Sequence, residues 1–111
     1  SMDCGICGRE FPNNLLIAAH IKPRAKCTVD EQNDFDNIGI PACLFGCDSL
    51  YEKGYISVQN GKVVVWGQIT ESKTRAIKKA TKDLNGKEIS KWNSGTAPYF
   101  NWHYQNIYKG S

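Results

Sequence analysis

Four cysteines fall into two close pairs, Cys4 and Cys7 as CxxC and Cys43 and Cys47 as CxxxC, with 35 residues between the pairs. Such spacing fits a tetrahedral zinc site, because each pair clamps two corners and the gap closes a loop. A fifth thiol, Cys27, stands apart and reads as free. An odd cysteine count with no secretion signal argues against a disulfide framework. A thioredoxin-like use of Cys4-Gly5-Ile6-Cys7 stays open, but that motif follows a strand and opens a helix, and this one lies just ahead of Gly8 and Pro12. Three other polar residues stand out. His20 ends an apolar run, Asn37 follows a polar loop, and Asp48 comes directly after Cys47.

The elements around them must bring these groups together. Residues 3–10, DCGICGRE, read as a zinc knuckle whose glycines allow a tight backbone. The run NLLIAAHI over 14–21, flanked by Pro12 and Pro23, predicts a buried strand. Residues 24–37 are polar and predict a loop, and 38–40 a short strand. Leu44, Cys47, Leu50 and Tyr51 have helical spacing over 44–53, with Gly54 placed to stop the helix. Two β-rich runs flank Asn60-Gly61, a strong hairpin signal. Thr70 is positioned to cap a helix over 71–84 that Gly86 ends. Its stripe is Ile77, Ala80 and Leu84, with Lys73, Arg75, Lys78, Lys79 and Lys82 on other faces. Residues 87–97 predict a loop, and the aromatic-rich 98–108 a last helix. Strand, loop, strand and helix make a ββα unit, which can set a strand-end imidazole and a helix-borne carboxylate in one cleft. The expected fold class is α+β, a single domain over 1–111. A zinc-stapled core spans 3–58, and a hairpin with basic and aromatic helices completes it over 59–111.

The chain has 111 residues, 41% hydrophobic and 23% charged, which excludes wholesale disorder and allows one modest core. No apolar run approaches the roughly 20 residues of a membrane span, and no signal peptide opens the chain, so a cytoplasmic location is expected. Ser1 ahead of Met2 resembles a cloning remnant, so the natural chain is expected to start at Met2 or to belong to a longer parent. The net charge of +3 divides unevenly: residues 1–69 carry 6 Lys/Arg against 8 Asp/Glu, and residues 70–111 carry 8 against 3. An acidic part that holds a cation and a basic part that meets a polyanion would look like this, as would a basic helix that is merely solvated.

Taken in order, AAHIKPR (18–24), DNIGIPAC (36–43) and CDSLYEKGYISV (47–58), with the cysteines interleaved, resemble the HNH endonucleases of restriction type, the ββα-metal or His-Me finger nucleases. The likeness covers residues 4–65 well, and the tail YFNWHYQNIY is similar, more loosely, to the aromatic C-terminal helix of some members. The resemblance implies a ββα-metal core with a flanking four-cysteine structural zinc. It implies His20 as the general base that deprotonates the attacking water, Asn37 as the orienting residue, and Asp48 as a ligand of a catalytic Mg²⁺ or Mn²⁺. Imidazole changes charge near neutral pH, which suits a general base. A cation neutralises charge building on phosphate and leaving oxygen, and a hard carboxylate favours Mg²⁺ or Mn²⁺. Ala19 departs from the pattern, since many relatives carry an acidic residue or histidine there. A second ligand is therefore expected from Glu52, one helical turn past Asp48, with Asn37 and His103 as the other candidates. The CxxxC pair, where CxxC is usual, alters the knuckle geometry slightly.

The implied partner is DNA, held through Lys22, Arg24 and Lys26 near the base and through Lys78, Lys79 and Lys82. Nothing resembles a base-reading element, so specificity would come from another domain or subunit. Two other readings compete: a non-catalytic zinc module that binds nucleic acid or protein, and a thiol redox protein using Cys4 and Cys7.

Overall fold

The knuckle comes first. In a computed structural model that describes residues 1–71 and 75–111, β1 (Met2–Asp3) pairs antiparallel with β2 (Glu10–Phe11). The connecting turn closes through Cys4 N–H to the Arg9 carbonyl at 2.9 Å and Gly8 N–H to the Cys4 carbonyl at 3.0 Å. Gly8 sits at φ +75°, where a side chain is disfavoured. Gly5 N–H donates to the Pro41 carbonyl at 2.7 Å, which docks the knuckle on the next ribbon.

That ribbon is β3 (Leu16–His20) against β4 (Gly39–Cys43), antiparallel, with Leu16 opposite Cys43 and His20 opposite Gly39. The strand expected over 14–21 is present over 16–20, but it is not buried: Leu16 and Ala19 are half-buried, and Ile17, Ala18 and His20 are exposed. A two-stranded ribbon covers one face and leaves β3 only one neighbour, which an apolar run cannot reveal. Residues 24–37 are more ordered than a loop. A 3₁₀ turn covers Arg24–Lys26 and a short helix, α1, covers Val29–Gln32. Thr28 and Glu31 form a reciprocal capping box, with Glu31 N–H on Thr28 Oγ1 at 3.2 Å and Thr28 N–H on Glu31 Oε1 at 2.8 Å.

Helix α2 (Cys47–Glu52) begins three residues later than expected, because Leu44 N–H still bonds the Leu15 carbonyl and Gly46 turns the chain at φ +142°. Its end matches expectation. Gly54, at φ +79°, donates to the Tyr51 carbonyl and Tyr55 N–H reaches the Leu50 carbonyl, a Schellman closure. β5 (Ile56–Gln59) and β6 (Lys62–Val65) then form the expected hairpin, with Asn60 and Gly61 at φ 52° and 78° as a type I′ turn demands.

The basic helix is shorter than 71–84. Gly67–Glu71 is 3₁₀, and α3 spans Arg75–Thr81. Lys73 and the Thr70 capping side chain lie outside the described residues. The helix ends early because the chain swings in beside β6: Gly86 N–H donates to the Val63 carbonyl and Val63 N–H to the Lys87 carbonyl, both at 2.8 Å. α4 (Ala97–Asn106) packs on β5. Ile6, Ile21, Ile56, Val58 and Phe100 are buried together, so knuckle, ribbon, hairpin and α4 share one core. The radius of gyration is 13.3 Å, against roughly 13 Å for a compact chain of this length. The fold is α+β, built of antiparallel ribbons and helices. Among the described residues no helix is long and apolar enough to cross a membrane.

Candidate functional site

The two cysteine pairs converge. All four residues are buried, and their sulfurs lie within 4.8 Å of one another. A tetrahedral ZnS₄ centre with arms of about 2.3 Å separates its sulfurs by roughly 3.8 Å, so this donor set can hold a metal ion such as zinc. The Cys4 sulfur accepts from the Ile6 and Cys43 amides, each at 3.4 Å, and Arg9 Nε reaches the Cys7 sulfur at 3.4 Å. The Cys47 thiol, hydrogen-bonded to Cys4, pulls the Cys4 pKa down to about 4. Cys47 is driven upward by that same bond and by burial, and Cys43 chiefly by burial. Four buried thiols cannot all ionise beside one another without a cation, which a metal ion held by the four sulfurs would supply. Cys27 lies apart, its sulfur against the Lys22 and Pro23 carbonyls.

The second site is a cleft of about 380 Å³ between β3 and α2. His20 enters it from the end of β3, Arg24 from the 3₁₀ turn, Asp48 and Glu52 from one face of α2, and Tyr51 and His103 also line it. The local reason is a single tether. The Tyr51 hydroxyl donates to the Ile21 carbonyl at 2.8 Å, fixing the C-terminal end of α2 to the residue after His20. The Cys43–Cys47 pair fixes the other end of α2, one residue before Asp48. Partial burial raises the Asp48 pKa above the ordinary carboxylate value, and the Glu52 charge adds to the rise. His20 also borders a neighbouring depression of about 460 Å³, shared with Arg24 and holding Phe35.

His103, a candidate ligand by sequence, is committed elsewhere. It is 1% exposed, and its ring stacks on Tyr51 with centroids 3.6 Å apart. Nε2 donates to the Tyr51 carbonyl at 2.7 Å, which leaves Nδ1 to accept from the Ser57 hydroxyl, also at 2.7 Å. Both nitrogens are therefore occupied by the fold. Burial lowers its pKa to about 4. The unfolded chain thus binds the proton more readily, and the stability held by the neutral ring is lost as pH falls from about 6.5 toward 4. The gap corresponds to roughly 3 kcal/mol. Urea unfolding at pH 7 and pH 4.5 is expected to show that acid loss in the native chain and a markedly smaller one in His103→Asn. Equal pH slopes would refute the neutral buried ring, and the cysteines, present in both proteins, cancel from the comparison.

Asn37 does not line the cleft. Its amide donates to Asp34 Oδ1 at 2.9 Å, and its side chain lies against Gly95. Lys22 is buried rather than free for phosphate: Nζ bonds both Glu31 oxygens, at 2.8 and 3.0 Å, and sits over the Trp102 ring. The sequence places a cation there but not its partners, which lie on α1 and α4. Arg24 and Lys26 are exposed, as are Lys78, Lys79 and Lys82. The last three do not line the cleft; Lys79 faces a separate depression beside the cysteines, with Arg9 and Lys87. Sequence reasoning missed the tether, since Tyr51 reads as one more apolar position of its helix. The chain matches no protein-family model and no curated protein.

Proposed function

We propose that the chain is a metal-dependent DNA endonuclease that hydrolyses phosphodiester bonds, a ββα-metal nuclease domain of a restriction or phage-defence system. One observation carries the reading: His20 on a strand end and Asp48 with Glu52 on a helix line the same cleft. His20 is exposed, so its ring can take a proton from an attacking water. Asp48 and Glu52 are hard oxygen donors whose mutual repulsion a cation relieves, a donor set that fits Mg²⁺ or Mn²⁺ with several retained waters. The ion, when bound, supplies charge neutralisation at the phosphate and leaving oxygen. Arg24 is placed to hold a phosphate oxygen. Binding is largely electrostatic and weakens as salt rises.

Nicking of supercoiled plasmid with Mg²⁺ or Mn²⁺ tests this. The native chain is expected to nick, and His20→Ala to fall at least about 100-fold, the usual worth of a general base. Equal rates for the two proteins refute the assignment. The position of Asn37 outside the cleft favours a second reading, a zinc-stapled module that binds DNA or protein without cutting. DNA retention with no nicking in any divalent ion would establish it.

A further inference from the structure

The turn between α1 and β4 holds an aromatic ring out into solvent. Phe35 is 79% exposed, more than any other large hydrophobic side chain described. Its backbone is nonetheless fixed on both sides. Asn37 and Ile38 amides donate to the Asp34 carbonyl at 3.0 and 2.9 Å, and Asn37 Nδ2 and the Tyr99 hydroxyl hold the Asp34 carboxylate at 2.9 and 2.6 Å. On the N-terminal side, Glu31 of the capping box is pinned by Lys22. The backbone that carries the exposed ring is thus hydrogen-bonded in place on either side. The depression that Phe35 borders contains His20, Arg24, Gln32, Asn33 and Gly39, and among the described residues no carboxylate lines it. It therefore offers a π-face, the Asn33 amide, the Gln32 Oε1 (its Nε2 is held by the Arg24 and Cys27 carbonyls) and a guanidinium, and it is continuous with the cleft through His20 and Arg24.

We infer that Phe35 is a stacking platform for a nucleobase of the DNA strand whose phosphate enters the cleft, with the Asn33 amide and the Gln32 Oε1 at the base edge and Arg24 on the backbone. This rests on the nuclease reading and narrows its substrate. A paired base has both faces covered by its neighbours in the duplex. A base on Phe35 must be unpaired, so the favoured substrate carries single-stranded or extruded nucleotides beside the scissile phosphate. A nucleotide uses this set as a whole, its base on the π-face, its donor–acceptor edge on the Asn33 amide and Gln32 Oε1 and its phosphate on Arg24, whereas an acidic peptide would use Arg24 alone and a purely apolar one Phe35 alone.

The probe is a single-stranded DNA 12-mer with 2-aminopurine at its centre, compared with the same strand in a full duplex, titrated without added divalent ion. The native chain is expected to quench the single-strand fluorescence. Phe35→Ala is expected to abolish the quench and to weaken single-strand binding roughly ten-fold, in line with the usual worth of one base–aromatic stack. Phe35→Trp retains both, and duplex binding changes little in either variant. Because the ring packs on so little, Phe35→Ala folds as the native chain does, which circular dichroism verifies. Unaltered quench and affinity in Phe35→Ala overturn the inference. The two readings fail separately. Plasmid nicking by a protein that never quenches the probe removes the platform and leaves the nuclease. A quench that depends on Phe35 in a protein that never cuts removes the nuclease and leaves a single-strand binding site.

Discussion

Replacing Cys43 with serine is expected to release the metal and to lower the melting temperature by on the order of 15–25 °C, as a loss of roughly 4 kcal/mol does in a domain of this size. Cys43 is fully buried, ends β4, and faces three other thiols within 4.8 Å. A metal bound only by the folded chain adds its binding free energy to stability, so losing it costs folding directly. The knuckle has little else to hold it. β1 and β2 are two residues each, and the knuckle docks through the Gly5 amide on the Pro41 carbonyl and through the buried side chains of Ile6 and Phe11. Metal analysis is expected to find about one zinc per native chain and none bound stoichiometrically in Cys43→Ser. Cys27→Ser supplies the contrast, because its sulfur only donates to two carbonyls and a hydroxyl does the same. That variant keeps its zinc and its melting temperature. A zinc-free native protein, or a Cys43→Ser variant that melts with the native chain, refutes the staple and returns weight to a thiol redox role.

How much could be read beforehand follows from the range of the signal. The cysteine cluster was legible because two short pairs already fix two corners each, and folding has only to bring the pairs together. The hairpin was legible because Asn60-Gly61 satisfies a local demand for two positive φ angles. The end of α2 was legible for the same reason at Gly54. Thr28 and Glu31 carried a capping signal three residues apart, and the helix was still overlooked because only four residues follow. What stayed hidden is long-range. His103 owes its state to Tyr51 and Ser57, 52 and 46 residues away, and no spacing announces such partners. Lys22 owes its burial to Glu31 and Trp102. The exposure of β3 depends on how many strands neighbour it, which composition does not encode.

The cleft joins these two kinds of information. His20 and Asp48 were singled out by type and order, but their meeting depends on α2 being held at both ends. The cysteine cluster anchors one end. At the other, the Tyr51 phenol reaches the carbonyl of Ile21, just past the end of β3, while the same ring rests on His103. Protonating His103 therefore loosens the support under the cleft as well as the core, so acid should act on both together.

Asp48→Ala separates the two centres. Cys47 and Asp48 are adjacent in sequence, yet one side chain is buried among sulfurs and the other is half-exposed toward the cleft. On the nuclease reading, the variant loses cleavage by on the order of a thousand-fold, since charge stabilisation by the ion is worth several kcal/mol. Zinc stays at about one per chain. Stability moves by no more than about 1 kcal/mol: a favourable first-turn charge is lost, but so are the burial of the charge and, second, the repulsion with Glu52, which together raise the Asp48 pKa. Glu52→Gln, one turn along and exposed, is expected to raise the Mg²⁺ or Mn²⁺ concentration needed for half-maximal nicking rather than to abolish it. Plasmid nicking across a metal titration, metal analysis and thermal melts on the same samples read all three quantities. Zinc loss in Asp48→Ala would assign the carboxylate to the cysteine centre, and the cleft would then have no cation ligand of its own beyond Glu52. Retained nicking would show that Asp48 serves the helix terminus and not the reaction.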